Sequence, residues 1–291
     1  MLKINSIKNI IPNNLKGDLK RFVPQKIVNL LKTGEIQIVS YPKCGRSWFK
    51  LIICDLVYKH YNITSKIDDV STELLYKLDK KVPKIIFTHD DDPMYKTIEE
   101  LNHDKSNYQY TSVVFLVRDP RDVIVSWFFE YKYRVSEKSK KEDMSYNSIS
   151  EFIRNRRGGI ESLIGFYNLW VDKKDVPKKF MILRYEDLVN SGMDFIRKFL
   201  GFSRLDFIDN SSINYAIGNN TFSKVQKREQ KGEIINGKEK VLEFGATDNN
   251  NKETLKARKG KVGGYTEYLS TKDIEFLDQI IQEKLNPIFR Y

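Results

Sequence analysis

An α/β fold, with a central parallel β-sheet flanked by helices, is predicted by two features of the sequence. Four short runs rich in β-branched and aromatic residues are bounded by polar or turn residues, and segments with helical periodicity lie between them. Strands that alternate with helices argue for a parallel sheet covered on both faces. The strands are expected at Ile36–Tyr41, Lys84–His89, Ser112–Arg118 and Lys179–Tyr185.

After the first strand, Phe49, Ile52, Ile53, Leu56 and Val57 follow the i, i+3, i+4, i+7, i+8 spacing of one apolar helix face. After the third, Asp119 supplies an N-cap and Pro120 a first helical residue, and Val123, Ile124, Trp127, Phe128 and Tyr131 continue the helix. Further helices are expected over 150–171 and 271–285. The chain, 1–291, reads as one domain. Residues 1–32 read as a basic N-terminal arm, and about 203–265 as an irregular segment packed over the site.

Hydrophobic residues make up 40% and charged residues 31%, which suits a globular chain. No apolar run approaches the ~18 residues of a bilayer span. The N-terminus lacks the continuous apolar core of a signal peptide. A cytoplasmic location without stable membrane anchoring is the expectation. The two cysteines, Cys44 and Cys54, cannot make a zinc site and suggest reduced thiols. Net charge is +11: residues 1–32 hold seven Lys/Arg against one Asp, and residues 222–261 hold eleven against six acids. No basic stripe with interleaved aromatics accompanies this surplus, which disfavours a nucleic-acid partner and suits a small polyanion.

In such sheets ligands bind beyond the carboxyl ends of the strands. Three of those ends carry distinctive groups: Lys43 with the turn Cys44-Gly45-Arg46-Ser47, then His89, then Arg118. A turn feeding a helix N-terminus presents backbone N–H groups and the positive end of the helix dipole, which favours phosphate or sulfate. The same loop also reads as a plain β–α turn with a surface lysine. It lacks the G-x-x-x-x-G-K-[ST] spacing of an ATP or GTP loop, and its lysine precedes the turn. A Cys-x5-Arg phosphatase built on Cys44 is disfavoured because Lys50 stands at the arginine position and offers no planar fork. In "FLVRDPRDVIVSW" (115–127), Arg118 and Ser126 could hold one phosphate from two sides, or Arg118 could pair with Asp119 or Asp122. In "ARKGKVGGY" (257–265), Arg258 and Lys259 lie beside Gly260, where backbone can approach a ligand closely.

"YPKCGRSW" resembles the 5′-phosphosulfate loop of the sulfotransferase family that uses 3′-phosphoadenosine 5′-phosphosulfate (PAPS). "RDPRDVIVSW" resembles its 3′-phosphate motif and "RKGKVGGY" its C-terminal Arg-Lys-Gly-x-x-Gly segment, in the same order over residues 36–268. The resemblance implies a P-loop-kinase-like sulfotransferase fold, PAPS as co-substrate, its bisphosphate product PAP, and no metal. It implies that Lys43 contacts the phosphosulfate and stabilises the departing phosphate oxygen, while Cys44, Gly45, Arg46 and Ser47 wrap the 5′-phosphate. Trp48 is implied on the adenine, with a core-facing Trp as the alternative. Tyr185 in "RYEDL" is implied at the adenine edge, and Phe222 on its face with Thr221 beside it. Arg118, Ser126, Arg258, Lys259 and Gly260 are implied as the 3′-phosphate clamp. His89 is implied as the base for the acceptor; the unperturbed pKa of an imidazole, near ~6.5, allows a neutral base at cytoplasmic pH. A hydrogen-bonded strand-end histidine is the other reading of His89.

The chain departs from the family at Phe87, where lysine is common, at Gly264, where aspartate is common, and at Tyr265, where Trp is common. The C-terminal dimer motif of many cytosolic members is absent, which leaves the oligomeric state open. The expected reaction is in-line sulfuryl transfer to a hydroxyl or amine of a polar small-molecule acceptor. The polar loops 90–110, 132–150 and 230–255 are expected to line the acceptor pocket, and the Lys-, Ile- and Asn-heavy composition reads as bacterial. Asp90, Asp91 and Asp92 read as a solvated acidic turn, then as an attractor for a cationic acceptor or an orienter of His89. The alternatives are an inactive adenosine-bisphosphate-binding module or a nucleotide kinase of similar architecture.

Overall fold

Strands β1 (Ile36–Val39), β2 (Ile85–Thr88), β3 (Ser112–Val117) and β4 (Lys179–Arg184) form a parallel sheet in the order β2-β1-β3-β4. A computed structural model describes residues 35–63, 75–77, 79, 81–135, 146–231 and 251–291; the arm expected over 1–32 lies outside them. Each strand falls within the run expected for it. Val39 stands opposite both Thr88 and Phe115, so the chain leaves β1 and β2 side by side while β3 continues to Val117.

The helices are α1 (Arg46–His60), α2 (Pro120–Tyr133), α3 (Ile149–Arg154), α4 (Ile160–Asp172), α5 (Tyr185–Asn190), α6 (Gly192–Ser203), α7 (Asn210–Asn219), α8 (Phe222–Gln230) and α9 (Thr271–Lys284). They cover the sheet on two sides because the central strands are apolar throughout: Ile38, Val39 and Val113–Val117 are buried. Phe87 of β2 meets Phe49 of α1 edge-on, and Phe49 packs against Phe195 and Phe199 of α6 at centroid distances of 5.1 and 5.0 Å. On the opposite face, Phe115 of β3 packs against Phe166, Tyr167 and Trp170 of α4 at 5.8, 5.6 and 5.9 Å. Asp119 caps α2 by accepting the Arg121 N–H, with Pro120 at the first helical position.

Two expectations need correction. The helix expected over 150–171 is two, α3 and α4. Asn155 accepts the Arg157 N–H at 2.8 Å, and the Arg157 guanidinium holds the Tyr95 carbonyl at 2.8 Å, so local side-chain bonds replace the helical ladder there. The stretch 203–265, expected to be irregular, contains α7 and α8; its residues 232–250 lie outside the described ones. Helix α8 is mostly polar and buries only Val225 and Glu229, so it carries almost no apolar stripe to read.

Phe115→Ala should cost about 3–5 kcal/mol of unfolding free energy in a urea titration. A loss below about 1 kcal/mol would mean that the β3–α4 contact contributes little.

Candidate active site

The carboxyl ends of β1, β2 and β3 open onto one cavity of about 280 Å³. Its wall takes Lys43, Ser47 and Trp48 from the first loop and His89 from the second. Arg118 comes from the third, Ser126 from α2 beyond it, and Arg258, Lys259 and Gly260 from the C-terminal segment. The three cationic motifs, spread over more than two hundred residues of chain, therefore share one space.

The first loop turns sharply. Lys43 and Gly45 both have positive φ, 72° and 87°. A Cβ on Gly45 would lie 2.5 Å from Cδ2 of Tyr185, so both backbone angle and space require glycine. Helix α1 starts there with no acid in its first turn, leaving the positive end of its dipole unopposed on its own helix. The Cys44 side chain faces the core, with Sγ 3.2 Å from the Tyr167 hydroxyl. Burial pushes this thiol up to about 12, so it is a buried neutral thiol and no nucleophile. Only the backbone of Cys44 belongs to the loop. Trp48 borders the cavity, donates its indole N–H to the Asn220 carbonyl at 2.6 Å, and packs 5.8 Å from the Tyr185 ring.

Arg118 sits where β3 ends. Its guanidinium donates to the carbonyls of Lys43 (3.3 Å) and Lys261 (3.0 Å), lies 3.4 Å from the Asp122 carboxylate, and covers the Tyr185 ring at 4.3 Å. It thus ties the first loop to the C-terminal segment. Tyr167 ties the first loop to the third: its hydroxyl accepts the Arg118 N–H at 3.0 Å, donates to the Arg118 carbonyl at 2.9 Å, and touches Cys44.

The C-terminal segment is held by two buried carboxylates. Asp122 accepts the N–H groups of Gly263 and Tyr265 at 2.9 and 3.0 Å. Glu229, on α8, accepts those of Lys256 and Ala257 at 2.6 and 2.8 Å. Gly260, with φ +61°, packs on Phe222 so closely that a Cβ would lie 2.1 Å from Cδ2 of that ring. Arg258 pairs with Glu253 at 2.9 Å and lies over the rings of Phe129 and Tyr268. Lys259 pairs with Glu267. Thr221 is exposed at the start of α8, away from the cavity wall.

Two groups define the remaining wall. His89 borders the cavity, and its Nδ1 lies 2.8 Å from the Ser40 carbonyl. A carbonyl only accepts, so Nδ1 carries the proton in the neutral ring and the lone pair belongs to Nε2. Glu130, one turn beyond Ser126 on α2, pairs with Lys43 at 2.7 Å and with Arg134 at 3.3 Å. The motifs offered Asp122 as a partner for Arg118, which it is at 3.4 Å, but did not mark its hold on the C-terminal segment, nor Glu130, Glu229 or Tyr167. The i+4 spacing from Ser126 was the one available signal for Glu130. Asp90 is buried rather than solvated, against the expectation for the acidic turn. Of the loops expected around the acceptor, residues 136–145 and 232–250 lie outside the described ones.

A parallel α/β sheet with cationic loops at its carboxyl edge and no ATP-type glycine loop defines a protein whose site suits a multiply charged anion. The profile of the sulfotransferase domain matches residues 34–288, and the chain belongs to that family. The enzyme class, and PAPS as the family's co-substrate, stand with that membership as the motifs implied. Sulfotransferase 2A1 of Rattus norvegicus is 24% identical over 268 residues, covering 88% of this chain and 86% of the relative. Flavonol 3-sulfotransferase of Flaveria bidentis is 24% identical over 284 residues, covering 87% and 82%. Cytosolic sulfotransferase 10 of Arabidopsis thaliana is 22% identical over 287 residues, covering 86% and 78%. Among solved structures, mouse sulfotransferase SULT7A1 complexed with PAP superposes with a TM-score of 0.55 at 21% identity, covering 86% of this chain and 84% of that one. No helix among the described residues is long and apolar enough to cross a membrane, and no group of described side chains could hold a metal ion.

Burial works against the Glu130 carboxylate, yet Lys43 and Arg134 outweigh it and hold the carboxyl down at about 2, from an ordinary 4.5. A carboxyl lowered on folding contributes stability that is present above its unfolded pKa and is lost as pH falls through its folded one. Wild type should therefore exceed Glu130→Gln in denaturant stability at neutral pH, with the gap closing as pH falls from about 4.5 to about 2. A gap independent of pH would mean that the Lys43–Glu130 pair does not form.

Proposed function

We propose that this chain moves the sulfuryl group of PAPS, in line, to a hydroxyl or amine of a polar small molecule in the cytoplasm. The observation that carries the reading is the shared cavity, where Lys43, Arg118 and Arg258 surround one space with His89 on its wall. A bisphosphate carries anionic groups at both ends, which suits two cationic cradles. Trp48, Tyr185 and Phe222 supply ring faces for adenine between them.

PAPS supplies an activated sulfur attached through a bridging oxygen to the 5′-phosphate. In the proposed reaction His89 takes the acceptor proton on Nε2 while the acceptor oxygen or nitrogen bonds to sulfur. The electron pair of the breaking bond goes to the bridging oxygen. Lys43 and the N-terminus of α1 stabilise that oxygen, where negative charge develops. Arg118, Ser126, Arg258, Lys259 and the Gly260 backbone hold the 3′-phosphate and orient the nucleotide. Glu130 and Tyr95 favour a polar acceptor; Met94, Trp127 and Val135 share that wall and give it apolar area as well. The naming of one relative as a flavonol sulfotransferase supports a small-molecule acceptor, and that of another as cytosolic supports the compartment.

Thermal unfolding with added nucleotide tests the binding half. PAP at 100 times its Kd should add about 2.7 kcal/mol, and AMP should add little because it engages one cradle only. Equal stabilisation by both would remove the argument for a second cradle. His89→Ala should abolish turnover of PAPS while leaving the PAP stabilisation nearly unchanged. Turnover at the wild-type rate would take the base role from His89, and PAP binding without turnover in wild type would favour the inactive module.

A further inference from the structure

The turn that follows His89 is built unusually. Asp90, Asp91 and Asp92 all lie in the left-handed region, with φ of 53°, 72° and 48°, three non-glycine residues in succession. L-residues visit this region as isolated residues, so such a run persists only where its surroundings impose it. Here they do. The Asp90 N–H donates to the Thr88 hydroxyl at 2.9 Å. The Asp90 carboxylate is buried, accepts the Tyr108 hydroxyl at 2.7 Å, and lies 2.7 Å from the Lys105 ammonium.

The Lys105 side chain is 1% exposed and the Asp90 side chain 7%, so this ion pair lies in the interior. Lys105 also donates to the Asn102 carbonyl and lies over the Trp170 ring at 5.3 Å, while Tyr108 meets the same ring edge-on at 4.9 Å. Burial and the Asp90 carboxylate push the Tyr108 phenol far up, which keeps it a donor. Buried ion pairs add little net stability compared with apolar residues of the same volume, and their best-attested use is to fix one arrangement. This one begins at the residue after His89. The imidazole itself is tied to the neighbouring strand end by the Nδ1 contact with Ser40.

We propose that the buried Asp90–Lys105 ion pair, completed by Tyr108, is the positioning device for His89. It locks the strained turn so that Nδ1–H stays on the Ser40 carbonyl and Nε2 serves the cavity. None of the three touches the reacting atoms; they act through His89. The inference rests on the base role proposed for His89, and its test separates the two.

The test uses Lys105→Met and the milder Tyr108→Phe, which removes one hydrogen bond and decides the matter if Lys105→Met does not fold. Lys105→Met should lower kcat by about 100-fold, the scale of a misplacement of about 1 Å, with the PAP Kd unchanged within about twofold. Tyr108→Phe should lower it several-fold. In the His89→Ala background neither change should reduce residual turnover further. Nitrogen NMR of the imidazoles, of which the chain has three, should show a single His89 tautomer in wild type and two in the variants. Folded variants with wild-type kcat, or with His89 still in one tautomer, would overturn the proposal. An active His89→Ala enzyme would instead sink the base role, while the tautomer measurement would still report on the pinning.

Discussion

A site made for a multiply charged anion has to hold several cations together when no anion is present. Here each principal cation has a carboxylate of its own: Glu130 on Lys43, Asp122 on Arg118, Glu253 on Arg258 and Glu267 on Lys259. The pairs differ in weight. Lys259–Glu267 is partly exposed and contributes little, as surface pairs do. Lys43–Glu130 and Arg118–Asp122 are largely withdrawn from water, with side-chain exposures of 9% and 20%, and of 11% and 2%. In the proposed reaction an incoming ligand competes with the internal carboxylates for the same cations. A ligand with one phosphate offsets one such pair; a ligand charged at both ends offsets two. On the proposed reading, selectivity for a bisphosphate would rest on these internal carboxylates as much as on the contacts to the nucleotide.

The cations are of use only if their loops are fixed, and the fixing is done by polar groups anchored in the fold beneath and between those loops. Asp122 and Glu229 each take two backbone N–H groups of the C-terminal segment. Tyr167 joins the first and third loops through one hydroxyl. Arg118 spans from Lys43 to Lys261 by carbonyl contacts alone. Loops carry the contacts while buried polar anchors on α2, α4 and α8 set their positions, which is how precision is obtained from irregular chain.

The sheet was legible in the sequence because buried parallel strands read as apolar runs, as at Ser112–Val117. The anion loops were legible because their residue types are forced: Gly45 and Gly260 have both a positive φ and an aromatic ring against the missing Cβ. The anchors were not. Asp122 and Glu229 are common residues whose partners are backbone N–H groups 141 and 27 positions away, and no local pattern reports such a pairing. Asp90 looked like one of three solvated acids because its cation, Lys105, lies in a loop with no motif. Cys44 stood inside the most informative motif, yet its side chain belongs to the core. A motif reports which backbone is needed and not which way each side chain turns.

Phe87 shows how the same physics weighs a departure from the family pattern. Its ring packs against Phe49 with centroids 6.4 Å apart, so it serves the β2–α1 contact. A lysine there, as the resemblance implies for other members, would put a cation near the oxygens of the sulfuryl group. Those oxygens carry similar charge in substrate and transition state, so that cation strengthens both nearly equally and acts mainly on KM. The charge that develops during transfer is on the bridging oxygen, the ground that Lys43 and the α1 N-terminus cover in the proposed reaction. In the proposed reaction, the absence of a cation at position 87 would therefore weigh on retention of PAPS more than on the barrier. Steady-state kinetics of Phe87→Lys read this directly: KM for PAPS should fall while kcat stays within about threefold, and a large rise in kcat would place developing charge at the sulfuryl oxygens instead.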